Sequence, residues 1–90
     1  MQCIGRIARP MQKSIYTQQY QALLVQLRQL RLAQGVTQSE LASRLDWTQV
    51  DISKVETGTR RLDVIELKLW VEALGSDLPS FVALLQDRCH

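Results

Sequence analysis

The stretch TQSELASRLDWTQVDISKVE, residues 37–56, has the features of two short helices joined by a tight turn. Thr37 and Glu40 have the spacing of a capping box, in which a hydroxyl and a carboxylate each satisfy a backbone amide of the first helical turn. An apolar pair follows the glutamate directly. The pattern therefore predicts a first helix from about Gln38 to about Leu45.

The second half of this stretch repeats the signal. Asp46 tolerates the left-handed backbone that a short turn requires, and Thr48 is a second candidate N-cap, with Asp51 three residues later. The next helix should then run to about Glu56 and stop before Gly58, which favours a helix end. Two helices of this length and spacing form a helix-turn-helix unit.

The two helices separate their side chains into an apolar and a polar face. The apolar set, which we expect to converge on one core beside the small Ala42, is Leu41, Leu45, Trp47, Ile52 and Val55. The opposite face consists of Gln38, Ser43, Arg44, Gln49, Val50, Ser53 and Lys54. This second face is amide-rich and basic, without a carboxylate cluster, and it suits the donor and acceptor pattern of a DNA major groove.

The segments before the unit predict an arm and a scaffold helix. Residues 1–17 lack periodicity and contain glycine, proline and three basic residues, so we expect a flexible N-terminal arm. The folded domain then covers residues 18–88. Leucines recur at helical spacing from Tyr20 to Leu30, and Gly35 is placed to end that helix.

Two more helices are predicted after the unit. Asp63 can cap a helix over 64–74, whose apolar arc is broad enough to suggest burial on more than one side. A last helix, from Leu78 to about Arg88, carries more apolar residues than one core contact needs. Two interpretations stay open: the last helix forms a two-fold dimer seam together with Trp70, or it closes a five-helix core.

Length and composition exclude several classes of protein. Ninety residues with a net charge of +2 and 46% hydrophobic residues are sufficient for one folded domain. Cys3 and Cys89 lack the spacing of a zinc site or a disulfide scaffold, and His90 has no partner for catalysis, so we expect neither a metal, a cofactor nor an enzyme. No apolar run approaches the roughly 20 residues that span a bilayer, which favours a cytoplasmic protein with no membrane partner.

Residues 27–75 as a whole resemble the phage repressor and Cro-type helix-turn-helix family, also called the XRE family. The resemblance rests on the segments GVTQSELA and ISKVETGTRRLD. It implies an all-α, compact, five-helix lambda-repressor-like DNA-binding domain, with the third helix in the major groove. The chain departs from the family at Asp46, where glycine is frequent, and at Trp47, where a small aliphatic residue is usual.

The resemblance also implies roles for individual residues. Gln49, Val50 and Lys54 fall at base-contacting positions, with Thr48 and Ser53 nearby. Phosphate contacts are expected from Thr37 and Gln38, and from Arg60 and Arg61 in the following loop, although those two arginines also fit a solvated loop. Arg31 and Glu56 match a structural ion pair.

These features together predict a function. We expect a sequence-specific regulator of transcription that binds double-stranded DNA, a repressor on a near-palindromic operator that acts as a homodimer. The alternative is a protein-interaction module, such as an antitoxin or adaptor, that uses its C-terminal helix on another protein.

Overall fold

The computed structural model describes residues 13–88, with side chains described for residues 18–87, and it contains five α-helices and no strand in that range. The helices are α1 (Lys13–Ala33), α2 (Gln38–Leu45), α3 (Gln49–Glu56), α4 (Val64–Ala73) and α5 (Leu78–Arg88). The predicted all-α class is confirmed, and α2 and α3 have the predicted bounds. Residues 1–12 of the predicted arm lie outside the described residues, as do Cys89 and His90.

Helix α1 begins earlier than expected. The structure starts it at Lys13, so the last five residues assigned to a flexible arm belong to the helix. No glycine or proline stands between Pro10 and Gly35, and backbone hydrogen bonding can therefore continue through residues that carry no apolar periodicity. Periodicity marks the part of a helix that packs on a core, not its full length.

The first four helices end in the same way. In each, the residue after the last turn is left-handed, and the next amide bonds back to a carbonyl five residues earlier, as Trp47 N does to Ala42 O at 2.8 Å. The four left-handed residues are Gly35, Asp46, Gly58 and Gly75. Asp46, at φ 60°, is the one of the four that is not glycine. The left-handed conformation is energetically unfavourable for a residue with a side chain.

The core lies where all five helices meet. Helix α2 packs on α3 and α4, α1 packs on α3 and α5, and α4 packs on α5. The buried apolar side chains are Leu24, Leu27, Val36, Leu41, Ala42, Ile52, Val55, Trp70, Val71, Leu74 and Phe81. Leu45 and Trp47 of the predicted core are half-buried at its edge. This arrangement fixes the position of α3 on a continuous apolar base.

One interpretation about α4 loses its support, and one expectation was wrong. Of the two interpretations left open for the last helix, the dimer seam cannot include Trp70, because Trp70 is fully buried. The broad apolar arc of α4 is not buried on several sides, since Val64, Ile65 and Leu69 are exposed. The buried side of α4 begins one turn after its N-terminus, where the helix first reaches the other helices.

Two long polar side chains tie helices together. Gln26, buried on α1, donates through Nε2 to the carbonyl of Phe81 in α5 at 2.7 Å. Arg44 on α2 donates to the carbonyl of Ala73 at 2.8 Å, where α4 has orphan carbonyl groups and a negative dipole end. These contacts join residues 55 and 29 positions apart, and local sequence patterns give no sign of them.

Candidate nucleic-acid interface

Helix α3 is started by a complete capping box. The amide of Asp51 donates to the Thr48 hydroxyl at 3.1 Å, and the amide of Thr48 donates to the Asp51 carboxylate at 3.1 Å. Hydrogen bonding with the Thr48 backbone, and then with its side chain, lowers the pKa of Asp51 below its ordinary value. Thr48, expected near bases, therefore also serves as the N-cap, and Asp51 takes the capping role.

The exposed side of α3 carries the predicted base-contacting residues. Gln49, Val50 and Lys54 are exposed, and Val50 is 60% exposed although it is apolar. Ser53 is half-buried on the same helix. The buried residues Ile52 and Val55 hold the opposite side of α3 on the core, so the exposed side chains face outward on a fixed support.

A chain of side-chain hydrogen bonds runs from the surface of α3 toward the core. Ser39 Oγ donates to Gln49 Oε1 at 3.2 Å, and Gln49 Nε2 lies 3.4 Å from Gln38 Oε1. Gln38 Nε2 in turn donates to Glu56 Oε1 at 3.0 Å. Gln38 of α2 thus bonds to both the first and the last residue of α3, which are Gln49 and Glu56.

Glu56 and Arg31 form the ion pair that the family resemblance implies. Arg31 Nε lies 2.7 Å from Glu56 Oε2 and Arg31 NH2 lies 3.0 Å from Oε1, with side-chain exposures of 7% and 3%. The remaining terminal nitrogen of Arg31 donates to the carbonyl of Val36 at 2.9 Å. The pair is bidentate and buried, and it joins the C-terminal end of α1 to the C-terminal end of α3.

Arg60, in the loop after α3, points toward the protein. Its guanidinium lies 4.3 Å from the centroid of the Trp47 ring, and its NH2 lies 2.9 Å from Glu66 Oε2. Its NH1 is buried and has no hydrogen-bond partner among the described residues. In this conformation NH2 is paired with Glu66 and NH1 is buried, so the observed contacts of Arg60 lie within the protein and its phosphate contact stays a prediction.

The neighbouring arginine is more exposed. Arg61 lies with its guanidinium 4.3 Å from the centroid of the Tyr20 ring of α1, and its side chain reaches solvent. The loop between α3 and α4 is therefore attached to α1 through one arginine and to α4 through the other.

Charges on this side of the molecule are mixed. Lys54 and Arg61 are exposed cations, while Glu40 and Asp51 are capping carboxylates, and hydrogen bonding with Thr37 lowers the pKa of Glu40 as well. The described residues contain no group of acidic, histidine or cysteine side chains that could hold a metal, and none of their helices could cross a membrane. This surface therefore offers hydrogen-bonding groups and mixed charges and not a strongly positive patch.

A capped helix-turn-helix unit whose second helix presents polar side chains on a buried base defines a class of DNA-binding domains. A helix-turn-helix family model, HTH_3, matches residues 27–81. The chain is also similar to a solved XRE-family like protein from Pseudomonas syringae pv. tomato str. DC3000, with 40% identity and a TM-score of 0.83 over 89% of this chain and 98% of the other. A search of curated proteins found no match.

The protein belongs to the XRE family of helix-turn-helix proteins. The five helices match the fold of that family, and the family and fold are those of DNA-binding regulators of transcription. The predicted family resemblance is confirmed.

Proposed function

We propose that the protein is a sequence-specific regulator that binds double-stranded DNA with α3 in the major groove. The observation that carries the proposal is the outward face of α3, where exposed Gln49, Val50 and Lys54 stand on a capped helix that the core holds in place. A helix of this diameter fits the major groove, in which each base pair presents a distinct pattern of donors and acceptors.

The side chains on the exposed side of α3 suggest which DNA bases the protein would recognise. Gln49 keeps one amide hydrogen and one oxygen lone pair beyond its bonds to Gln38 and Ser39, which is the pair of groups that adenine N7 and N6 require. Val50 suits a thymine methyl group, and Lys54 suits the acceptors of guanine. Thr48 and Ser53 are the neighbouring candidates.

Phosphate contacts would come from the start of α2 and from the loop after α3. The N-terminus of α2 carries a positive dipole end, where Thr37 is exposed and Gln38 is half-buried. Arg61 adds an exposed positive charge. Few exposed cations face this side in the described residues, so we expect a shallow dependence of affinity on salt.

A homodimer on a near-palindromic operator is the assembly that we propose. Two copies would place their α3 helices about 34 Å apart, one helical turn of DNA. Occupation of such a site would exclude other proteins from the same DNA, and we therefore propose repression as the outcome. A reporter gene placed behind the selected site tests the direction of regulation.

Selection from a randomised duplex pool at several salt concentrations tests the proposal. We expect a palindromic site, with a log affinity against log salt slope of about −0.9 for each neutralised phosphate. Gln49→Ala and Lys54→Gln should each weaken binding to that site, whereas Lys68→Gln, which removes an exposed lysine paired with Glu72 on α4, is the matched control. Absence of enrichment at every salt concentration would reject the DNA-reading function.

The second candidate is a protein-interaction module. The observation in its favour is the exposure of Leu84 and Val82 on α5, since solvent-facing leucine and valine on a terminal helix are available to a partner. Sedimentation equilibrium of the wild type and of Leu84→Glu separates the cases. A dimer that Leu84→Glu dissociates assigns α5 to self-association, and a wild-type monomer that selects no DNA favours the interaction module.

A further inference from the structure

We propose that Arg60 is a positioning residue for the recognition helix and not a phosphate ligand. It fixes the turn between α2 and α3 through Trp47, and thereby sets the direction in which α3 presents Gln49 and Lys54. The inference rests on the proposed DNA-binding function, but its first consequence is measurable in the free protein.

Three observations direct the Arg60 guanidinium toward the protein. One face of the guanidinium lies on Trp47, NH2 is bonded to Glu66, and NH1 is buried. A phosphate that took the NH2 group from Glu66 would break this ion pair. Arg61 lies next in the chain and reaches solvent, so it is better placed for the phosphate role.

Trp47 transmits the position of Arg60 to α3. It directly precedes Thr48, the N-cap of α3, and it follows Asp46, the left-handed residue that ends α2. Its ring also packs edge to face on Trp70, with centroids 6.1 Å apart, and Trp70 is fully buried. Displacement of the Trp47 ring would therefore move the first residue of α3 relative to the core.

Glu66 gives Arg60 a fixed anchor. Its Oε1 accepts from the amide of Asp63 at 3.1 Å, and its own amide donates to Asp63 Oδ1 at 2.8 Å, which completes the capping box of α4. Because one carboxylate oxygen is held in the cap, the other lies in a defined place for Arg60. The arginine therefore connects the α2–α3 turn to the start of α4.

The geometry at this position suits an arginine. Its planar guanidinium stacks on a ring and donates in its own plane at the same time, whereas a lysine ammonium is a point charge that does not stack as a plane. Arg60→Lys keeps the charge and loses the stacked plane. Glu66→Gln keeps an acceptor for the cap of α4 and loses the ion pair.

The first experiment uses the free protein. In amide and indole NMR spectra of Arg60→Lys and Glu66→Gln, we expect shifts for Asp46, Trp47 and Thr48, with smaller changes in α5. Arg61→Lys is the matched control, because it alters the adjacent arginine and leaves the Trp47 contact in place. Unchanged Trp47 and Thr48 signals in both variants would overturn the proposal, whether or not the protein binds DNA.

The second experiment measures affinity for the selected duplex and for a scrambled duplex across a salt series. We expect Arg60→Lys and Glu66→Gln to weaken selected-site binding about three- to tenfold, with scrambled binding nearly unchanged and the salt slope the same. Glu66→Gln is decisive, since removal of a carboxylate near DNA would strengthen binding if Arg60 simply contacted phosphate.

Two results would contradict the positioning role. If Arg60→Gln weakens selected and scrambled binding equally and reduces the salt slope by about 0.9, Arg60 is a phosphate ligand. If the variants lose thermal stability but keep the wild-type preference for the selected site, Arg60 is merely structural. Failure of the wild type to select any site rejects the proposed function alone, because the NMR result still decides whether Arg60 positions the turn.

Discussion

Two arginine–carboxylate pairs, one made by the last residue of α3 and one by the loop that follows it, differ in burial. Arg31 and Glu56 are bidentate with exposures of 7% and 3%, whereas Arg60 and Glu66 share one contact with exposures of 35% and 28%. The first pair connects α1 to α3 in the core, and the second connects a loop to α4 at the edge.

The difference teaches how one interaction type serves two purposes. Loss of one partner of a buried pair is strongly destabilising, because the other charge is then left unpaired away from water. A half-exposed pair is screened and contributes little free energy, but it can still select one position for a loop or a ring. The following changes test that contrast, from the largest expected effect to the smallest.

Replacement of Arg31 should have the largest effect. Arg31→Met leaves the Glu56 carboxylate and the Val36 carbonyl without their donor, and we expect the free energy of unfolding to fall by about 3–5 kcal/mol. Urea unfolding monitored by circular dichroism measures it. The double variant Arg31→Met with Glu56→Leu should recover part of the loss, and strict additivity would contradict coupling of the two charges.

Gly58 lies on the segment between the two pairs, and its replacement should have an intermediate effect. Its φ is +86°, and a Cβ there would lie 3.2 Å from Leu24 Cδ1. Gly58→Ala should therefore cost about 1–2 kcal/mol. Gly35→Ala is the control, since its φ is also positive but no atom crowds its Cβ. An equal loss of unfolding free energy in both variants would show that the positive φ alone, and not the contact with Leu24, causes the cost.

Loss of the half-exposed pair should have a small effect on stability. Arg60→Met removes the charge but keeps an apolar stem beside Trp47, and we expect the free energy of unfolding to change by about 1 kcal/mol or less. Thermal unfolding at two salt concentrations measures the change. A loss as large as that of Arg31→Met would show that the contrast between the two pairs is incorrect.

Loss of a capping carboxylate should have the smallest effect on the free energy of unfolding, and the size of this effect should depend on pH. Hydrogen bonding lowers the pKa of Asp51 from 3.8 in the folded state. Its contribution is therefore fully present above the pKa of the unfolded chain and is lost as pH falls through the folded pKa. The stability difference between wild type and Asp51→Asn should shrink as pH falls from 6 to 3, and a constant difference would exclude ionisation as its cause.

The sequence was sufficient for the parts of the fold that local chemistry controls. Capping boxes at Thr37 and Thr48, and the left-handed turn at Asp46, depend on residues within a few positions of each other, and the structure contains all three. The Leu24 and Leu27 stripe likewise identified the buried side of α1. Signals of this kind are visible in one stretch of chain.

Contacts between distant residues were not predictable in the same way. Nothing near Gln26 indicates that it bonds to Phe81, and Trp47 and Arg60 meet only because the loop after α3 returns to the turn before it. Apolar excess in α4 suggested burial of Ile65, but exposure depends on which helices reach that side. The DNA-contacting roles of Gln49 and Lys54 stay predictions.

The pairing of Gln49 with Ser39 and Gln38 has a consequence for the thermodynamics of recognition. A free glutamine loses up to about 1.5–2 kcal/mol of rotamer entropy when it is immobilised. Because two neighbours already hold the Gln49 amide, part of that entropy is lost when the protein folds and not when it meets DNA. Calorimetry should therefore find that Ser39→Ala makes the entropy of binding less favourable, even though Ser39 itself need not contact a base.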